Sequence, residues 1–275
     1  MQIRLGYDIA VSVTSPTAMV LMLHVRPELR KHLLKPDELV LDPETPVKEY
    51  TDGFGNRCVR LVAPPGRLNL RTDALIEVDG LPDVVAEDAI QHPIEDLPSE
   101  TLEFLLGSRY CEVDQLSNFA WETFGDTPLG WARVQAVTDW VHNHVVFGYQ
   151  FARSTKTACD VLQEKTGVCR DFQHLAVTLC RCLGIPARYA TGYLGEIGLP
   201  PGDAPMDFSA WFQVYLGDRW YDFDARHNKP RIGRTLMAVG RDAADVALIT
   251  SFGPHTLEKF EVVTEEVAEA VPAEA

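Results

Sequence analysis

A cysteine where a glycine turn runs into a helix is the residue of this chain best placed to do chemistry. Gly167-Val168-Cys169-Arg170-Asp171-Phe172 puts a thiol in the first turn of an amphipathic segment whose apolar face carries Phe172, Leu175, Ala176, Leu179 and Leu183. The segment stops at Gly184-Ile185-Pro186, a glycine stop followed by a proline that a helix cannot continue through. At a helix start the unpaired backbone N–H groups and the positive end of the dipole favour an anion, so a stabilised thiolate is expected at Cys169. Such a thiolate could attack an amide or ester carbonyl, form an acyl-enzyme and be released by water or an amine. That chemistry needs a base and a group to orient the base.

A hairpin downstream is where those partners are expected. Ala210, Phe212, Val214 and Leu216 alternate with Trp211, Gln213 and Tyr215, and Gly217-Asp218 makes a two-residue turn into Arg219 to Ala225. With Leu216 opposite Arg219, Asp224 faces Trp211, and residue 209 is its diagonal neighbour on the same face, about 7–8 Å away. An imidazole at 209 would meet the Asp224 carboxylate, but the residue there is Ser209, too short to touch it without a bridging water. Trp220, Tyr221 and Phe223 imply that Asp224 is partly buried and needs a polar partner. A histidine substituted at 209 is expected to complete the arrangement. His227 falls opposite Phe208 in the regular register, on the face away from Asp224, and serves as base only if the strand ends early. His174, about 140° around the helix from Cys169, points elsewhere.

These segments resemble the transglutaminase-like superfamily of bacterial cysteine peptidases. The likeness rests on Leu105-Leu106-Gly107-Ser108-Arg109-Tyr110-Cys111, Ala158-Cys159-Asp160-Val161-Leu162, Gly167 through Tyr193, and Asp207 through Phe252 with its run Phe223-Asp224-Ala225-Arg226-His227-Asn228-Lys229-Pro230-Arg231-Ile232-Gly233-Arg234. The resemblance implies Cys169 as nucleophile and Asp224 as the carboxylate that orients a histidine. It also implies Asp207-Phe208-Ser209-Ala210-Trp211 as the segment whose middle residue is histidine in catalytic members. Tyr149 resembles the aromatic position upstream of the nucleophile, and Tyr149 and Trp211 are expected to line the substrate cleft. The implied activity is that of a cysteine peptidase or amidase on a peptide or protein substrate, slow or absent for want of the histidine. The alternative is a non-catalytic module that keeps the cleft to bind a peptide or protein. No cofactor and no metal are expected.

Composition limits the other possibilities. The chain has 275 residues, 46% of them hydrophobic, enough for a sizeable core, and its net charge of −15 repels phosphate backbones and anionic lipid heads. Neither nucleic acid nor membrane is expected as a partner. The N-terminal residues show no basic segment followed by an apolar run, and a cytoplasmic protein is expected. The six cysteines lack metal-ligand spacing: Cys180 and Cys182 lie about 200° apart on one helix. For the five other than Cys169, the ordinary role of a small buried hydrophobe is expected. His142-Asn143-His144, although it shares residue types with a nuclease motif, is expected as a half-buried helix edge in so acidic a chain.

The period of the apolar residues divides the chain. Ile3 to Val13 and Leu68 to Val78 alternate as strands, so residues 1–98 are expected as an antiparallel β-sandwich and linker, the linker running from Asp79 to Pro98. Residues 99–260 begin as helices and end as strands, an α+β core of the transglutaminase-like, papain-like kind in which the nucleophile helix packs on an antiparallel sheet. Residues 261–275, with five glutamates and no basic residue, are expected as a disordered acidic tail.

Overall fold

Alternation with a period of two builds the first layer pair. In a computed structural model that describes residues 1–200 and 206–267, β1 (Gln2–Val13) buries Ile3, Leu5, Ile9 and Val11. It pairs antiparallel with β7 (Gly66–Glu77), Ile9 opposite Leu70 and Ile3 opposite Ile76. One sheet runs in the order β15 (Thr256–Val267), β1, β7, β3 (Leu33–Lys35), with β4 (Val40–Asp42) also on β7. The other runs β14 (Ile249–Ser251), β2 (Thr17–Leu21), β6 (Arg57–Ala63), β5 (Val47–Thr51). The turn from Asp52 to Asn56 joins β5 to β6, the Asp52 carboxylate accepting the backbone N–H groups of Phe54 and Asn56. Side chains of both sheets, among them Leu5, Met19, Leu61 and Leu68, form one apolar core between them.

The sandwich is not confined to residues 1–98. Strands β14 and β15 return from the C-terminal end to complete both sheets, so the expected tail is, as far as Val267, an edge strand. The reason lies in the alternation: Val262 and Thr264 are buried, while Glu261 and Glu265 stay in solvent. Lys259 Nζ bonds the Asp8 carboxylate across the pair at 2.9 Å. Charges on the outer face of an edge strand discourage further pairing, which is why glutamate-rich sequence is compatible with a strand here. The rest of that expected tail, 268–275, lies outside the described residues. Neither sheet has a strand in the segment Asp79 to Pro98. It runs over the surface and touches the second half through an isolated bridge between Pro82 and Ile232.

In the second half the period changes to that of helices: α1 (Val113–Phe124), α2 (Trp131–His144), α3 (Ala158–Glu164) and α4 (Cys169–Cys182). A sheet follows in the order β12 (Arg219–Phe223), β11 (Ser209–Leu216), β10 (Ala187–Tyr193), β13 (Thr235–Gly240). Helix α4 lies against β10 and β11 and is covered by the other three helices, so it is buried on all sides from Asp171 to Cys182. Phe172, Leu175 and Leu179 each contribute about 1.5–3 kcal/mol by that burial. The two halves share an apolar contact, Tyr7 of β1 against Phe208 at 6.2 Å between ring centres and Tyr193 of β10 on the same ring at 5.0 Å. The α+β architecture, sandwich plus helix-on-sheet core, is as the sequence predicts.

Candidate functional site

Local sequence fixes the start of α4. A short parallel pair, β8 (Val146–Phe147) with β9 (Thr166–Gly167), brings the Tyr149 segment alongside the helix entry. Asp171 then turns its buried carboxylate back to accept the Val168 N–H at 3.0 Å, which sets Cys169 in the first turn. A Cβ at Gly167 would lie 2.6 Å from the Asp171 Cβ, so the position admits only glycine without rearrangement.

The hairpin has the predicted register, Leu216 opposite Arg219 and Phe212 opposite Phe223, but β12 ends at Phe223. Beyond it Asp224 captures its own following backbone: Oδ1 accepts the N–H groups of Arg226 at 3.0 Å and His227 at 3.1 Å. Asn228, in the left-handed region at φ 49°, closes the turn through its N–H to the Asp224 carbonyl at 2.7 Å. Three residues on one stripe of α2 hold this turn. Gln135 and Asp139 bond the Asn228 amide at 3.0 and 2.8 Å, and His142 Nδ1 lies 2.9 Å from the Arg226 carbonyl. His142 is therefore a structural partner of the turn, in keeping with its expected place on a helix edge.

The turn reverses the direction His227 would have had in a continued strand. Its Nδ1 meets Asp224 Oδ2 at 2.8 Å. Asp224 is 4% exposed, and burial alone would raise its pKa. The hydrogen bond from His227 and the charge of Arg234 outweigh burial and hold the carboxyl well below the usual carboxylate range. An ionised carboxylate only accepts, so Nδ1 carries the hydrogen of this bond, and in the neutral ring Nε2 keeps its lone pair.

Cys169 and His227 line one cavity of about 460 Å³ together with Tyr149, Phe208, Ser209 and Arg226. Its far side is formed by Thr264 and Glu265 of β15, so the sandwich supplies part of the wall. The expected thiolate is not what this environment favours. Burial, with the carboxylates of Asp207 and Asp224 adding to it, pushes the Cys169 thiol up to about 11, and neither the nearby Arg226 charge nor the Arg170 backbone N–H offsets it. The thiol is a neutral proton donor at pH 7 and needs a base to react.

The remaining expectations divide. Ser209, the first residue of β11, is 8% exposed and lines the cavity, but β12 stops before Asp224 could become its cross-strand neighbour. Tyr149 lines the cavity with its side chain half exposed. Trp211 does not line it. At 1% exposure its ring packs with Ala190 and Val239, and its Nε1 donates to Asp222 at 2.7 Å. Both faces of β11 are covered, so the side opposite the cleft is core as well. His174 is wholly buried, stacked on Tyr110 at 4.9 Å, with Nε2 accepting the Ala243 N–H at 3.1 Å.

Sequence reasoning missed Gln173, Arg234 and Asp83. Gln173 Nε2 donates to Asp224 Oδ1 at 3.1 Å and its Oε1 accepts the Ala225 N–H at 3.1 Å, so α4 itself fixes the start of the turn. The signal was available: a glutamine four residues after Cys169, on the same face of a helix with little other polar content on that side. Among the described residues no cluster of His, Cys, Asp and Glu is arranged to hold a metal ion, and no helix is long and apolar enough to cross a membrane.

The fold has a known counterpart. The solved structure of a "Putative Cysteine Protease from Cytophaga hutchinsonii" superposes with a TM-score of 0.85 at 32% sequence identity, over 98% of this chain and 92% of that one. An uncharacterized protein of Mycobacterium leprae (strain TN), ML0607, is 36% identical over 95 residues, 32% of each chain, so this chain spans about a third of that protein's length. The family model of the transglutaminase-like superfamily matches residues 118–225, from α1 to the residue after Asp224. Matched at this identity over nearly its whole length, the chain belongs to the transglutaminase-like superfamily.

Proposed function

We propose that the chain is a peptidase or amidase that works by thiol acyl transfer, with Cys169 as nucleophile, His227 as base and Asp224 as the group that orients it. The observation that carries this reading is the His227 Nδ1 to Asp224 Oδ2 contact of 2.8 Å in a turn that lines the same cavity as Cys169. On this reading His227, in the turn after β12, does the work that the resemblance gives to a histidine at position 209, where this chain has Ser209. His227 Nε2 takes the thiol proton as the Cys169 sulfur bonds to the substrate carbonyl carbon, and passes that proton to the departing amine. The C–N bond breaks, a thioester remains on Cys169, and water, deprotonated by the same Nε2, releases the acid. The protein fold and the resemblance to a cysteine protease support a peptide or protein substrate.

Incubation with p-nitrophenyl esters and a peptide library, followed by rapid acid quench and peptide mapping, tests the reading. An acyl mass on the Cys169 peptide is expected, absent in Cys169→Ala. No adduct and no turnover with any acyl donor would favour a non-catalytic module that uses the cleft for binding.

A further inference from the structure

His227 does not hold the Asp224 carboxylate alone: a buried cation that the acyl-transfer scheme does not use meets the same oxygen. Arg234, its side chain 5% exposed, bridges two carboxylates. Its Nη2 lies 3.0 Å from Asp83 Oδ2 and 3.4 Å from Asp224 Oδ2, and its Nε is 3.1 Å from each Asp83 oxygen. The guanidinium also sits 4.9 Å from the centre of the Trp211 ring, so a flat surface fixes its plane. Asp83 is pinned in turn. Its Oδ2 accepts the Arg231 N–H at 2.8 Å, and its own N–H donates to the Arg231 carbonyl at 2.9 Å. Asp83 comes from the segment between sandwich and core, which by sequence is only a linker.

We infer that Arg234 is a positioning residue, held by Asp83, whose charge presents the Asp224 carboxylate to His227 and sets how readily the Asp224–His227 couple takes up a proton. The oxygen that meets His227 Nδ1 is the one nearest Arg234, so the imidazole and the guanidinium share the same Oδ2. A fixed positive charge beside this couple opposes protonation of it, and Asp83 moderates that charge. Cys169 from α4 and Arg231 from the segment after the turn also act on Asp224, Asp222 from β12 acts on Arg234, and on the His227 side Asp207, Arg226, and Glu265 and Glu266 of β15 line the cavity. Asp139 and His142 of α2 engage the Asn228 amide and the Arg226 carbonyl instead of the carboxylate.

The inference rests on the couple in the proposed mechanism, but its test does not need turnover. The pH midpoint of the His227 ring Cε1–H resonance, assigned with His227→Gln, is followed by NMR in wild type, Arg234→Met and Asp83→Asn. Loss of the charge in Arg234→Met is expected to move the midpoint up by about one pH unit, the effect of removing one charge at this range. Asp83→Asn unmasks the same charge and is expected to move it down. A merely structural role gives no reason for shifts of opposite sign. Should Arg234→Met fail to fold, the direction of the shift in Asp83→Asn decides alone. Unmoved midpoints in folded variants, or an upward shift in Asp83→Asn, would overturn the inference. Opposite shifts in a protein that forms no thioester would keep it and reject the acyl-transfer reading.

Discussion

Replacing His227 by alanine is expected to lower Cys169-dependent turnover by at least about 10²-fold, the usual worth of a positioned base. Ser209→Ala is expected to leave it little changed. The contrast follows from where the carboxylate is spent: Asp224 Oδ2 is engaged by His227 at 2.8 Å, and Ser209 has no part in that bond. For the same reason the gain that the sequence predicts for Ser209→His is not expected. A second imidazole would enter a cavity whose orienting carboxylate already has a partner, and would crowd the one in place. Steady-state rates on a p-nitrophenyl ester, with circular dichroism to show that each variant folds, check the series. A His227→Ala variant as fast as wild type would remove this residue from the mechanism.

Asp224→Asn combines a loss of activity with a loss of stability. An asparagine that keeps its oxygen toward the Arg226 and His227 N–H groups turns its NH2 toward His227 Nδ1. That nitrogen must then accept, the ring hydrogen moves to Nε2, and Nε2 can no longer take a proton from the thiol. A fall on the order of 10⁴-fold is expected from such a reversal of tautomer. The same change removes one of the two carboxylates beside the buried Arg234 and leaves Asp83, at 3.0 Å, to compensate it, at an expected cost of about 1.5–3 kcal/mol. The sign of the pH dependence follows. The folded protein holds this carboxyl below its unfolded value, so its contribution is complete above the ordinary carboxylate range of about 4 and is withdrawn as acid protonates the folded form. Urea unfolding of wild type and Asp224→Asn at neutral pH and at about pH 3 should therefore show the gap narrowing in acid.

Much of the site was legible because its signals are local. A glycine turn before an amphipathic run places Cys169 at a helix start, and Gly217-Asp218 between alternating segments fixes the register that the hairpin adopts. The end of β12 was not legible. Tyr221, Phe223 and Ala225 continue the period of two, and all three are buried, so the pattern gives no hint that the strand stops. What stops it is a competition between Asp224 and the ladder for the same N–H groups, decided by Gln173, Asn228 and α2, residues up to about ninety positions away. The thiolate expected at Cys169 failed for a related reason. A helix start is a local feature, whereas the burial that keeps the thiol protonated depends on how the helix is covered. The C-terminal strand was hidden by its glutamates, since an edge strand needs only Val262 and Thr264 inward.

The most direct measurement of the central claim, that His227 serves the Cys169 thiol, is substrate-free. Wild type and His227→Gln are treated with chloroacetamide from about pH 6 to pH 10, and modification of each of the six cysteines is timed by peptide mapping. Cys169 should be the fastest of the six in wild type, because it opens on the cleft while Cys58, Cys111, Cys180 and Cys182 are buried and the partly exposed Cys159 thiol is pushed up to about 12 by burial and the neighbouring Glu112. At pH 7 its modification should slow at least about tenfold in His227→Gln. The difference should close as the pH approaches about 11, where the thiol ionises without help. Equal rates in the two proteins across the whole range would contradict the account.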